Sequence, residues 1–265
     1  MSDPFVPRVG GTLTADIAVP EHEREVRFYS RVLSTGEEPL WREDLMNNRG
    51  MPIIGLGARS AEHADLPLQW MPHILVADVA ASVERALGLN GSELMHGKDD
   101  DGKSQWAALL DPNGTAFGII PVASAEGFSS TGDVASHDAA AHVGCISWLD
   151  LTVSDASATR DFYRQVVGWS VQDVDMEDAS ERYADYNMLG GDGNPAAGVC
   201  HARGVNLGLP PIWMIYLPVG DLAESLRRVR EEGGKVIKAT RGTDGEYGYA
   251  AVQDPVGAYL ALVPG

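Results

Sequence analysis

Between Thr12 and Val19 apolar side chains alternate with small or polar ones, the period-two pattern of a strand that buries one face. After Pro20 the period lengthens, and Val26, Tyr29, Val32 and Leu33 fall on one face of a helix expected over 21–33. The same switch returns at 146–153, an alternating strand followed by Ser154 or Asp155 as a helix cap. Thr159, Phe162, Tyr163, Val166 and Val167 then form an apolar stripe that Gly168 stops. Residues 70–76 read as a further strand leading to Val79, Val83, Ala86 and Leu87 on a helix. Residues 213–219 lead in the same way to Leu222, Leu226 and Val229, with Gly233 and Gly234 just beyond. Asp111-Pro112-Asn113-Gly114 and Asp254-Pro255-Val256-Gly257 predict turns between the last two short strands of each half, because Pro presets φ and Gly tolerates left-handed backbone.

These signals pair up along the chain. Ile17-Ala18-Val19 and Phe28-Tyr29 match Leu151-Thr152-Val153 and Phe162-Tyr163 at an offset of 134. Leu66-Pro67 and Trp70-Met71 match Leu209-Pro210 and Trp213-Met214 at an offset of 143, and so do the two Asp-Pro-x-Gly turns. The second copy has therefore gained nine residues in between. Three collinear matches identify two homologous domains, 1–120 and 143–265, each reading β, α, several β and then the same again. The stretch 121–142, rich in Ala, Ser, Gly and Asp with little to bury, reads as a linker.

Composition narrows function more than fold. The 265 residues carry 38 Asp and Glu against 20 Lys and Arg, a formal net charge of −18, which opposes nucleic acid and an anionic membrane as partners. A hydrophobic share of 44% is enough for a packed core. No apolar run is long enough to span a bilayer, and the opening MSDPFVPRVGG has neither the basic nor the apolar region of a signal peptide, so a cytoplasmic protein is expected. Cys145 and Cys200 are too few for a disulfide framework and are expected as thiols. The chain has no phosphate loop, no HExxH and no nucleophile elbow.

The order of elements, the Phe-Tyr pairs 28-29 and 162-163, the strands before Asp78 and Asp221, and the endings DPNGTAFGIIPV and DPVGAYLALVPG resemble the glyoxalase/bleomycin-resistance/extradiol-dioxygenase superfamily, the vicinal oxygen chelate proteins. Ser147-Trp148-Leu149-Asp150-Leu151 further resembles its two-domain bacterial subgroup, described as hydroxylase-like or glyoxalase-like. The resemblance covers nearly the whole chain and implies an α+β fold of tandem domains. Each domain would have two βαβββ modules curling a mixed sheet into a cup, with helices on the outer face. It also implies where a divalent metal would be held in catalytic members: His or Gln on the first strand, His on the strand opening the second module, Glu on the final strand. In this chain those places fall on Thr14, Met71 and Gly118, and on Trp148, Met214 and Ala261. Thioether, indole, glycine and alanine give a hard cation no oxygen or imidazole donor, so no metal ligand and no cofactor are expected.

Strand alternation then picks out what faces each cup instead: Asp16 and His73 in the first domain, and Trp148, Asp150, Met214 and Tyr216 in the second. An aromatic and thioether wall suits a flat apolar molecule, although Trp148 and Met214 could equally fill the vacated site as core. Asp150 and Asp16 are the candidate general bases, and their recurrence in both copies also fits a scaffold role. His73 is a core histidine or a partner for Asp16, and His201 and Arg203 could border a pocket and meet an anionic group.

Three readings follow. The first is a metal-free small-molecule binding protein, its ligand an apolar or aromatic metabolite or a drug, as in bleomycin resistance. The second is a glyoxalase- or dioxygenase-like isomerase, lyase or oxygenase on a small carbonyl or phenolic substrate, the only reading that admits a divalent metal. The third is a non-catalytic protein-interaction module with an exposed apolar patch. A monomer or a homodimer fits each.

Overall fold

The computed structural model describes residues 5–122, 143–179 and 181–265; the linker expected at 121–142 lies, from 123 on, outside the described residues. The first repeat contains β1 (Thr12–Val19), α1 (His22–Leu33) and β2 (Ile54–Ala58), then β3 (Met71–Val76), α2 (Val79–Gly88), β4 (Ser92–Lys98), β5 (Ser104–Leu110) and β6 (Ala116–Pro121). The second contains β7 (Trp148–Val153), α3 (Ala156–Val167), β8 (Ser170–Glu177), β9 (Arg182–Leu189) and β10 (Pro195–His201). It continues with β11 (Trp213–Val219), α4 (Leu222–Glu231), β12 (Lys235–Arg241), β13 (Tyr247–Gln253) and β14 (Tyr259–Pro264). The expected α+β class holds, with two mixed sheets of six and eight strands.

One module departs from the expected βαβββ order. Between α1 and β2, where the second repeat folds the β8–β9 hairpin, residues 34–53 form no strand beyond a bridge from Trp41 to Asn47. Pro39, Pro52, Gly36 and Gly50 interrupt this stretch, and Trp41 is drawn inward, its Nε1 donating to the Pro218 carbonyl at 2.8 Å.

The helices form where the periodicity placed them, and their ends have local causes. Asp78, Asp155 and Asp221 cap α2, α3 and α4 by accepting from the backbone N–H of Ala81, Ala158 and Glu224. Gly168 ends α3 in left-handed backbone at φ 90°. The buried face of α3 is the expected stripe together with Ala156. That of α1 gains Phe28 and Glu25, the latter anticipated by no apolar pattern, while the expected Val26 is only half-buried.

Contacts group the chain into two compact units, each drawn from both repeats. The first takes its described residues from 5–13, 71–122 and 148–213, and so holds α2, α3, the strands β3-β6-β5-β4 and the strands β7-β10-β9-β8. The second takes 14–70, 143–147 and 214–265, with α1, α4, the β2-β1 pair and the strands β12-β13-β14-β11. Helices pack in matching pairs, α2 on α3 and α1 on α4. Each four-stranded set has one parallel pair followed by antiparallel neighbours.

Each unit is centred on the same polar triad inside an aromatic core. In the first, Trp213 Nε1 donates to Tyr163 Oη at 2.8 Å, and Tyr163 donates to Asp111 Oδ2 at 3.2 Å. Phe117, Phe162 and Trp169 complete this cluster, with Phe117 and Trp213 each 5.1 Å from Tyr163 between ring centroids. In the second, Trp70 Nε1 donates to Tyr29 Oη at 3.0 Å and Tyr29 to Asp254 Oδ2 at 2.9 Å, beside Phe28. The Asp-Pro-x-Gly turns supply both carboxylates. Asp111 Oδ1 accepts from the backbone of Asn113 and Thr115, and Asp254 Oδ1 from that of Val256, Gly257 and Ala258. Burial pushes both carboxyls above their ordinary range, and it pushes both tyrosines well above theirs.

Candidate functional site

On β7, Leu149, Leu151 and Val153 are buried in the core, so Trp148, Asp150 and Thr152 look the other way. Trp148 Nε1 donates to Asp150 Oδ1 at 2.8 Å, which joins two of the expected site residues in one hydrogen bond. Asp150 stands opposite Gly198 of the parallel strand β10, and a Cβ at Gly198 would lie 2.1 Å from Asp150 Oδ1. The first repeat repeats the device: Asp16 stands opposite Gly55, where a Cβ would lie 2.2 Å from Asp16 Oδ1. Each carboxylate thus occupies the room that its glycine leaves.

His73 on β3 stands opposite Gly118 of β6, and a Cβ at Gly118 would meet its ring at 2.6 Å. The expected pair Asp16 and His73 is divided between the two compact units, Asp16 in the second and His73 in the first.

In the second unit Met214 and Tyr216 share a wall with Ala261, which stands opposite Tyr216. Tyr249 from β13 joins them. Its ring stacks on Tyr216 with centroids 5.4 Å apart and planes 22° apart, and its hydroxyl donates to Met214 Sδ at 3.7 Å. Sequence reasoning missed Tyr249, although the alternation along β13 could have placed it on the face of Ala251, which pairs with Ala261.

His201 and Arg203 fall at the end of β10 and just beyond it. The His201 ring Nδ1 lies 3.1 Å from Asp185 Oδ1, the same oxygen accepts from the His201 backbone N–H at 2.8 Å, and Asn206 reaches Asp185 Oδ2 at 3.3 Å. A carboxylate oxygen at this distance favours a proton on Nδ1. Arg203 donates to Asp178 at 2.7 Å and to Glu181 at 2.6 Å, with its guanidinium over the Tyr183 ring at 4.3 Å. Cys145 and Cys200 form no disulfide. Burial, with Asp150 and Asp185 nearby, pushes the Cys200 thiol up, away from nucleophilic use.

The positions at which the superfamily resemblance places metal ligands do not fit a metal. Among the described residues no group of three or more His, Cys, Asp or Glu side chains could hold an ion. The Trp148 indole is a donor already directed at Asp150, Met214 sulfur takes the Tyr249 hydroxyl, and the room at Gly118 is filled by His73. A surface groove lined by Ser34, Pro39, Trp41, Arg42, Glu43 and Asp44 includes none of these residues. Val205 and Leu207 are largely exposed after β10. Among the described residues no helix is long and apolar enough to cross a membrane.

Residues 142–262 match the family described as Glyoxalase/Bleomycin resistance protein/Dioxygenase superfamily, and residues 12–120 match the glyoxalase-like domain family. The chain belongs to this superfamily. Among curated relatives of this superfamily member, the anthracycline biosynthesis protein DnrV of Streptomyces peucetius is 27% identical over 198 residues, covering 75% of this chain and 66% of that protein. The chain thus spans just under two thirds of that relative's length. The putative glyoxylase CFP32 of Mycobacterium tuberculosis is 28% identical over 120 residues, 45% of either chain. A catechol 2,3-dioxygenase structure shares the fold at a TM-score of 0.54 and 12% identity, covering 97% of this chain and 93% of that one.

Proposed function

We propose that this superfamily member is a metal-free binding protein for a flat, largely apolar or aromatic small molecule. One observation carries the reading: Met214, at an expected metal-ligand position, is bound by Tyr249, which stacks on Tyr216 opposite the small, buried side chain of Ala261. Aromatic faces and a polarizable thioether favour fused-ring ligands. Trp148 and Asp150 form a separate, more polar candidate surface within the first unit, where His73, His201 and Arg203 also lie. The name of the Streptomyces peucetius relative suits such a ligand, since anthracyclines are flat fused-ring molecules. The protein acts in the cytoplasm, as a monomer or homodimer, without nucleic acid or membrane.

The test has two parts. Chain purified without chelator and offered iron, manganese, nickel and zinc is expected to keep none through gel filtration, and a sulfonated anthraquinone is expected to quench its tryptophan fluorescence saturably. About one retained metal per chain, or no saturable quenching, overturns the proposal.

A second reading rests on the carboxylates placed alike in both repeats. Asp150 or Asp16 would act as general base on a small carbonyl or phenolic substrate. Asp150→Asn, which keeps shape and removes the base, separates the two: it abolishes turnover under the second reading, whereas under the first the quenching by the anthraquinone stays saturable.

A further inference from the structure

Glu25 and Thr159 hold the same place in the two repeats, three residues before Phe28 and Phe162. In the first unit Thr159 Oγ1 accepts from Asn113 Nδ2 at 3.0 Å, and Asn113 also reaches Asp111 Oδ2 at 3.3 Å. A neutral amide thus bridges helix and carboxylate. In the second unit Val256 stands where Asn113 would be, and Glu25 stands where Thr159 would be. Glu25 is fully buried, no hydrogen-bond donor among the described residues reaches either of its oxygens, and its carboxyl faces that of Asp254. Asp254 is already the acceptor for three backbone N–H groups and for Tyr29.

Two facing carboxylates that no cationic side chain among the described residues bridges do not both ionise. A protonated carboxyl, by contrast, has one O–H to give, and Asp254 is the acceptor at hand. Among the described residues, the charged or titratable groups that act on Glu25 besides Asp254 include Arg24 and Glu21 of its own helix and Tyr29. Arg24 is paired with Glu21 at 3.0 Å, and the Tyr29 proton goes to Asp254.

We infer that Glu25 is held as a neutral acid donating its proton to Asp254, replacing the amide bridge of the first unit, and that the need to keep this proton makes the folded chain less stable as pH rises through neutrality. Burial first, then Asp254, pushes Glu25 up to about 8 from an ordinary 4.5. Because the folded state keeps a proton that the unfolded chain releases, this group's stabilisation is complete below the unfolded value. Between roughly 4.5 and 8 it lowers the folded-to-unfolded ratio about tenfold per pH unit, and the loss levels off above 8. The inference does not depend on which ligand the protein binds.

Urea unfolding of the full chain from pH 5.5 to 9 tests it, with Glu25→Gln as the neutral isostere. Wild type is expected to lose stability as pH rises towards 8, and Glu25→Gln to remove most of that fall. The double variant Glu25→Thr with Val256→Asn, which transplants the first unit's pair, is expected to do the same. Infrared difference spectra of folded wild type at pH 6 are expected to show a protonated-carboxyl band absent from Glu25→Gln. Equal pH profiles in all three proteins, or no such band, overturn the inference. So does a gain in wild-type stability at pH 6 on adding calcium or magnesium chloride that Glu25→Gln does not share, since a cation would then hold the place of the proton where the inference has the acid neutral.

Discussion

Tyr29 donates its hydroxyl hydrogen to Asp254, a residue of the other repeat, and Tyr163 does the same to Asp111 in the opposite direction along the chain. Each tyrosine also receives the indole N–H of a tryptophan from its own repeat, Trp70 or Trp213. The two internal copies are therefore not two folded bodies in series. Each supplies a helix and tyrosine to one unit and the closing turn to the other.

Removing either hydroxyl leaves a buried indole N–H and a buried carboxylate oxygen short of a partner. Tyr163→Phe and Tyr29→Phe are each expected to destabilise the protein by about 1–3 kcal/mol with little change in overall secondary structure, as read by urea denaturation. A loss below a few tenths of a kcal/mol in both would show that the triads contribute packing alone.

The exchange of parts also governs what a single repeat can do. Residues 143–265 alone lack Asp111 and Phe117, which cover Tyr163. They also lack Tyr29, which Asp254 accepts. This fragment is expected to be unfolded or to pair with a second copy of itself. A cooperatively folding monomer, by sedimentation and circular dichroism, would contradict the shared-unit architecture.

Gly198 is expected to tolerate no side chain while Asp150 is present. A Cβ there would lie 2.1 Å from the carboxylate, so Gly198→Ala should cost about 1–3 kcal/mol through displacement of Asp150 and its bond from Trp148. Asp150→Ala in the same chain should recover much of that loss. A double-mutant cycle with a coupling energy near zero would place the strain elsewhere.

Gly168 closes α3 at φ 90°, where an L side chain pays a steric penalty even though the space beside it is open. Gly168→Ala is expected to lower stability by about 1–2 kcal/mol, measured as a shift in the urea midpoint.

Much of the fold could be read from the sequence because its signals are local. β1 and β11 run over the residues expected, the Asp caps and Gly168 set helix ends, and matched motifs exposed the duplication. What the sequence hid was pairing at a distance. Tyr29 and Asp254 are each plain in the repeat pattern, but nothing in that pattern says that they meet across 225 positions. Buried Glu25 was invisible for a related reason, since a charged residue on the first turn of a helix reads as solvated. Of the site, Trp148 and Asp150 were named and proved to be bonded to each other. Tyr249 escaped notice because its strand carries no metal-ligand position from the superfamily pattern. The repeat implies several strands after α1, a symmetry that the prolines and glycines of residues 34–53 break.

A symmetric homodimer makes every substitution twice, so neither half can drift from the other. Two copies in one polypeptide carry no such constraint, and the two cores differ. Thr159 with Asn113 stands in one and Glu25 with Val256 in the other, while His73 and Tyr216 occupy corresponding strands. Within one polypeptide, each unit can therefore carry its own polar bridge beside the same buried triad.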